Sequence, residues 1–238
     1  RVVRERINAR HLANGVTLDD PDTTYIDVDV RIGRDTVVHP MTFLSGGTRI
    51  AKGCELGPAT RIVDASVGEG AVVEFSVVRG SRIGARAQVG PYAHVRPGTR
   101  LGADAKVGAF VEVKASDIGE GGKVPHLTYV GDAKIGRRAN LGAGTVTVNY
   151  DGYRKHRTQI GDDARVGSDT MLVAPVKLGK GAVTGAGSVI TSDVPAGALA
   201  VERSEQRVVR GYRKRSDAEA QSGATGTGAA GKSDAGAR

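Results

Sequence analysis

A six-residue period, a surplus of glycine and a shortage of aromatic side chains predict an all-β solenoid. More specifically, they predict a parallel β-helix of hexapeptide repeats with a short N-terminal helical linker and a disordered C-terminal tail. The period is the strongest of the three observations. From Ile26 an aliphatic residue recurs at Ile32, Val38, Leu44, Ile50, Leu56 and Ile62. Neither a helix of period 3.6 nor a strand of period 2 produces that spacing. Glycine numbers 35 in 238 residues, Trp is absent and aromatics make up 4%. A compact core leans on large aromatics for buried area, so this bias suits a narrow bore filled by aliphatic side chains.

Taken in order, residues 1–20 read as a helical linker. Val3, Ile7, His11 and Leu12 recur at helical spacing, and Asn14-Gly15 is a stop signal. Asp19-Asp20-Pro21 then breaks the pattern. The β-helix is expected over 21–200. Beyond Ile62 the aliphatic row resumes at Val67 and Val73. It then runs through Ile83, Val89, Val95, Leu101, Val107, Val113, Ile118, Val124, Val130, Ile135 and Leu141. It returns at Ile160, Val166, Leu172 and Leu178. Fourteen of these aliphatic residues are followed directly by Gly. Three six-residue sides make one triangular coil of about 18 residues, with the aliphatic residues pointing into the bore and Gly relieving the corner. Roughly nine such coils follow, stacked about 4.8 Å apart.

Thr147 to Gln159 fit no register and carry the turn signal Asp151-Gly152. A polar loop of this length, ejected from a solenoid and rich in Asn, Tyr and Lys, points to function. Residues 201–215 form a basic segment. Residues 216–238 are Ala, Gly, Ser and Thr with scattered charges, cannot bury a core and are expected to be disordered.

The net charge is +8 and the pI about 9.8, with the clearest basic clusters near the two ends of the repeat array. No nucleic-acid-binding signature accompanies them, so a nucleic-acid partner is not expected. The one cysteine, Cys54, has no partner for an internal disulfide, which suits a reducing cytoplasm. No apolar run is long enough to span a bilayer, and no membrane partner is expected.

His126 interrupts the pattern, and at neutral pH it can accept a proton. Alternation from Val124 points it inward, but a nearby corner allows an outward face. Glu112 and Lys114 lie 14 and 12 residues earlier, close enough to come from a neighbouring side or coil. A carboxylate there would orient the imidazole, and Arg96, Lys114 and Lys155 could gather around a phosphate. Asn140 and Tyr129 could bond hydroxyls. The corners Leu141 to Thr145 and Thr184 to Ser188 could leave main-chain N–H groups open to a ligand. The five histidines lack zinc spacing, so no catalytic metal is expected.

Six runs carry a resemblance to a known family. They are G-P-Y-A-H-V-R-P-G from Gly90, V-G-A-F-V-E-V-K from Val107 and H-L-T-Y-V-G-D from His126. The others are N-L-G-A-G-T from Asn140, N-Y-D-G from Asn149 and V-G-S-D-T from Val166. Over about residues 17–210 the chain resembles the acetyltransferase half of the bifunctional bacterial enzyme that makes UDP-N-acetylglucosamine. That resemblance implies left-handed coils in a homotrimer with active sites between subunits. It also implies acetyl transfer from acetyl-CoA to the amine of glucosamine 1-phosphate, for cell-wall synthesis. It assigns His126 as general base with Glu112 in support. Arg96, Lys114, Tyr129, Asn140 and Lys155 would contact the sugar phosphate. Ala143, Asn149, Tyr150, Ser168, Ala186 and Arg203 would contact acetyl-CoA. The run from Val201 and the Gly211-Tyr212 pair depart from the family pattern. The other readings of a hexapeptide chain are transfer to a different amine or hydroxyl, or a non-catalytic scaffold.

Overall fold

The computed structural model describes residues 1–212. Helix α1 (Val2–Ala13) ends at Asn14, where the stop signal places it. It buries Ile7, Asn8 and His11, while Val3 and Leu12 of the expected stripe are exposed. Asn8 takes their place because it has carbonyls to satisfy: its Nδ2 donates to Pro21 O at 2.9 Å and Thr24 O at 3.3 Å. The helix thus seals the first coil through one apolar and two polar side chains.

The rest is a left-handed parallel β-helix of about 10 turns. Its three faces are parallel sheets of 11, 10 and 9 strands. The first face runs from Thr17–Leu18 to Leu199–Ala200, the second from Tyr25–Ile26 to Val189–Ile190, the third from Arg31–Ile32 to Val176–Leu178. Pairing therefore starts one strand before Ile26 and continues past Pro195. Every aliphatic residue of the repeat is buried except Ile32, which is half-buried against the core. Each full burial of a Val, Leu or Ile is worth about 1.5–3 kcal/mol.

Two residues before the aliphatic position lies a second buried row of small side chains, such as Thr42, Thr48, Cys54, Ala71, Ala87, Ala105 and Thr145. The threonines there return their hydroxyls to the preceding corner, as in Thr42 to His39 O at 2.8 Å and Thr145 to Gly142 O at 2.7 Å. A small side chain at this place lets the corner close over it. The register explains the slips in the period. Val95 pairs with Val113 eighteen residues on, but Val113 pairs with Val130 only seventeen on. The missing residue is lost at the corner that follows the second face. Val78, absent from the expected row, fills the gap between Val73 and Ile83 and is fully buried.

Glycine follows the aliphatic residue mainly because the next coil leaves no room. A Cβ on Gly102 would lie 2.6 Å from Glu120 N, and one on Gly167 would lie 2.6 Å from Ala186 N, both at ordinary negative-side φ. Left-handed φ falls further round the corner, on residues such as Asp104 (58°), Leu127 (47°) and Asp132 (51°). Among the described residues no helix is long and apolar enough to cross a membrane. Residues 204–212 form part of a separate unit and are exposed. The last part of the basic segment and the tail expected to be disordered lie outside the described residues.

Close approach and φ make different demands, and two glycines separate them. Gly102→Ala should lower the unfolding free energy by about 2–3 kcal/mol, because backbone must move. Gly53→Ala, at φ 65° with open space around it, should cost only about 1 kcal/mol. Denaturant unfolding of the two variants checks the order.

Candidate functional site

His126 ends the strand Lys123–His126 on the first face and is exposed. The corner turns its side chain outward despite the alternation from Val124. Ala109 pairs with it from the coil below. Above, Lys123 pairs with Asn140, a register that sets Ala143 over His126. The pairs Asn140 with Arg165 and Arg165 with Val183 continue the column to Ser168 and Ala186. Corner hydrogen bonds tie the same steps together: Gly144 N to Leu127 O at 3.1 Å, Asp169 N to Ala143 O at 2.7 Å and Gly187 N to Ser168 O at 2.8 Å. Arg203 Nη1 donates to Ala186 O at 2.8 Å at the top. One edge of the prism therefore reads His126, Ala143, Ser168, Ala186, Arg203. Among the described residues the N–H groups of Ala143, Ser168 and Ala186 have no acceptor.

A charged cluster covers the second face and centres on its far corner, with Lys114 five positions beyond Ala109, about 16 Å at 3.3 Å per residue. Arg96 Nη1 donates to Glu112 Oε1 at 2.7 Å. Lys114 Nζ donates to Asp132 Oδ2 at 3.1 Å, and Asn149 Nδ2 donates to the same oxygen at 2.6 Å. Tyr129 pairs with Glu112 in the sheet, and its phenol lies close to Lys114. The bond to Asp132 holds the Lys114 ammonium above its ordinary pKa, whereas the adjacent Lys114 pushes that of Lys155 down.

Lys155 reaches this place because the ejected loop is a small hairpin. Tyr150 bridges antiparallel to Lys155, and the Tyr150 hydroxyl donates to Gly152 O at 2.6 Å. Asp151 accepts from Tyr153 N at 2.8 Å, Arg154 N at 2.6 Å and the His156 ring at 2.6 Å. The Arg154 and His156 bonds, with that of Tyr153, hold its carboxyl far below the usual range.

Two expected groupings take another form within one chain. Glu112 serves Arg96, and among the described residues the His126 ring has no hydrogen-bond partner. Asn140 lies on the first face, three positions before Ala143, about 10 Å from the edge at 3.3 Å per residue. It borders an open depression of about 440 Å³ with Lys123, Arg138 and Arg165. Asp132, which joins Lys114 to Asn149, escaped the sequence reading. Aspartate is common at left-handed corners, so nothing but its place next to Gly131 marked it out.

Comparison with known proteins finds relatives of the chain in sequence and in fold. Residues 80–115 and 157–192 match the bacterial transferase hexapeptide (six repeats) family. The protein named bifunctional protein GlmU of Caldanaerobacter subterraneus is 56% identical over 212 residues, 89% of this chain and 46% of that protein. Its namesake in Mycobacterium bovis is 56% identical over 213 residues, covering 90% of this chain and 43% of that one. This chain is similar to the C-terminal part of those GlmU proteins. It spans a little under half the length of the GlmU proteins it matches. The solved Arabidopsis UDP-N-acetylglucosamine acyltransferase shares the fold, with a TM-score of 0.60 at 18% identity over 89% of this chain and 85% of that one. Among the described residues, no group of three or more His, Cys, Asp or Glu side chains could hold a metal ion.

The hairpin's stiffness rests on the Asp151 carboxylate. Its folded pKa is depressed, so the stabilisation is present above about pH 4, the unfolded value, and fades as pH falls toward the folded value. At neutral pH, Asp151→Ala should speed tryptic cleavage after Arg154 or Lys155 by about tenfold, the effect of one or two lost charge-assisted bonds. Mass spectrometry of timed digests reads the rate.

Proposed function

We propose that this chain transfers acetyl from acetyl-CoA to the amine of glucosamine 1-phosphate, giving N-acetylglucosamine 1-phosphate. The observation that carries the reading is the position of His126. It lies outward at the foot of a column of open backbone N–H groups, at the corner that opens the face on which three cations gather. Arg96, Lys114 and Lys155 hold the phosphate, and Tyr129 and Asn140 take sugar hydroxyls. The sugar ammonium first loses one proton to water, and His126 removes a second from the amine as nitrogen attacks the thioester carbon. The open N–H of Ala143 supports the oxyanion. The C–S bond then breaks, the thiolate leaves near Ser168, and His126 returns the proton to sulfur. Asn149, Tyr150, Ala186 and Arg203 bind the rest of acetyl-CoA along the same edge. Glu112 acts through Arg96, setting the guanidinium that faces the phosphate.

A homotrimer completes the site in this reading. Below His126 the same edge exposes Met41, Tyr92, Phe110 and Leu127 by 53%, 58%, 60% and 62%. Phe75, Tyr92 and Phe110 stack with ring centroids 5.7 and 5.3 Å apart. An apolar ridge of this extent marks an interaction surface. A second copy seated on it brings its first face, and with it Asn140, toward the pocket of the first.

Thiol release with acetyl-CoA and glucosamine 1-phosphate tests the reading. His126→Ala should lower kcat by at least about a hundredfold, with binding of the phosphosugar little changed; a variant of full rate rejects His126 as the base. Phe110→Asp should sediment as a monomer and lose activity, whereas an active monomer rejects the shared site.

A further inference from the structure

We infer that Asp132 is a positioning residue whose one carboxylate sets both the lysine pair of the phosphate pocket and Asn149 of the acyl-donor groove. The inference rests on the acetyl-transfer reading and names a residue which that reading leaves without a role. Asp132 stands on the short corner after the second face at φ 51°, and its own N–H donates to Lys114 O at 3.0 Å. The corner therefore fixes the main chain from which the carboxylate projects. Oδ2 then accepts from Lys114 Nζ at 3.1 Å and from Asn149 Nδ2 at 2.6 Å. All three groups are mostly buried: the side chains of Lys114 and Asp132 are 19% and 22% exposed, and Asn149 is 8% exposed.

The glycine before it makes an independent point. Most repeat glycines leave room for the next coil, but Gly131 leaves room for the site. A Cβ there would lie 2.5 Å from Tyr129 Oη and 2.6 Å from Asn149 Nδ2. Gly131 and Asp132 together thus bring a residue expected to meet the sugar phosphate, Tyr129, against one expected to meet the acyl donor, Asn149.

Charge accounts for the need. Arg96, Lys114 and Lys155 crowd one surface, with Glu112, Asp132 and the Tyr129 phenol as the other titratable groups facing them. Glu112 is taken by Arg96. Asp132 is therefore the acid left, among the described residues, to balance the two lysines. Without it, two ammonium groups side by side repel, and one gives up its proton more readily. Lys155 already yields first, because Lys114 lowers it by more than Asp132 raises it.

Asp132→Asn tests this in the whole chain, since Asn accepts the left-handed corner as readily as Asp. Asp104→Asn is the control: it changes another corner aspartate, at φ 58° and bonded to Arg86. Acetic anhydride labelling across a pH series, read by mass spectrometry, gives the titration midpoint of Lys155. Thermal melting confirms that both variants fold. In Asp132→Asn the midpoint should fall by about one pH unit or more, and in Asp104→Asn it should stay. KM for glucosamine 1-phosphate and KM for acetyl-CoA should both rise by about tenfold, with kcat changed by less than about threefold. An unmoved midpoint, or a rise in one KM alone, overturns the inference. A folded wild type without turnover defeats the acetyl-transfer reading instead, and the Lys155 midpoint still decides whether Asp132 governs the lysines.

Discussion

Backbone packed on backbone at the glycine corners is the constraint from which the rest of this structure follows. Where Gly102 or Gly167 passes under the next coil, there is no space for even one carbon. The coils therefore stack at a fixed height, and the aliphatic residues behind the corner meet their equivalents in register. The inward row supplies the hydrophobic stabilisation, while the glycines determine how closely it can pack. Each coil contacts only its neighbours, so this register is set locally and repeated along the chain.

Function is then a matter of which residue occupies which corner. One edge carries the aromatic ridge, His126 and the open N–H groups of Ala143, Ser168 and Ala186 in a single line. The fold supplies those N–H groups without cost, because the residue just past the corner glycine has no partner in the coil above. What the fold does not supply is charge balance. The second face brings two cations close together, and the acids that hold them in place, Glu112 and Asp132, come from adjacent coils. The hairpin from Asn149 to His156, which leaves the repeat, is stiffened by its own aspartate and adds the third cation. A rigid column with one braced loop holds its groups in place before a ligand arrives, which is what oriented catalysis needs.

Much of this could be read from the chain alone, and the gaps have physical causes. The aliphatic row announced the solenoid because a single period persists through most of the repeats. The second buried row stayed hidden, since Thr, Ser and Ala are equally at home on a surface and only the closed corner shows that Thr42 or Thr145 is inside. Val78 was missed because the five-residue sides carry the row out of a strict six. Alternation pointed His126 inward, yet the chain has already turned by that residue. Val3 and Leu12 kept helical spacing, but the helix faces carbonyls that Asn8 satisfies better. Among the site residues, those drawn from motif resemblance lie along one edge and its adjoining face, with Asn140 on the other side of the corner. Glu112 pairs with Arg96 because the sheet sets those two residues in neighbouring coils, a proximity that distance along the chain does not reveal. Asp132 looked like any corner aspartate until its two partners were seen.

In the proposed function, register alone lines up a base and an acyl-donor groove along one edge of the prism. Amide hydrogen exchange with and without acetyl-CoA measures this directly. The account predicts slower exchange at Ala143, Ser168 and Ala186, with the hairpin at Asn149 and Tyr150, and no change along the third face. Protection confined to the third face, or none at this edge under saturating acetyl-CoA, would contradict it.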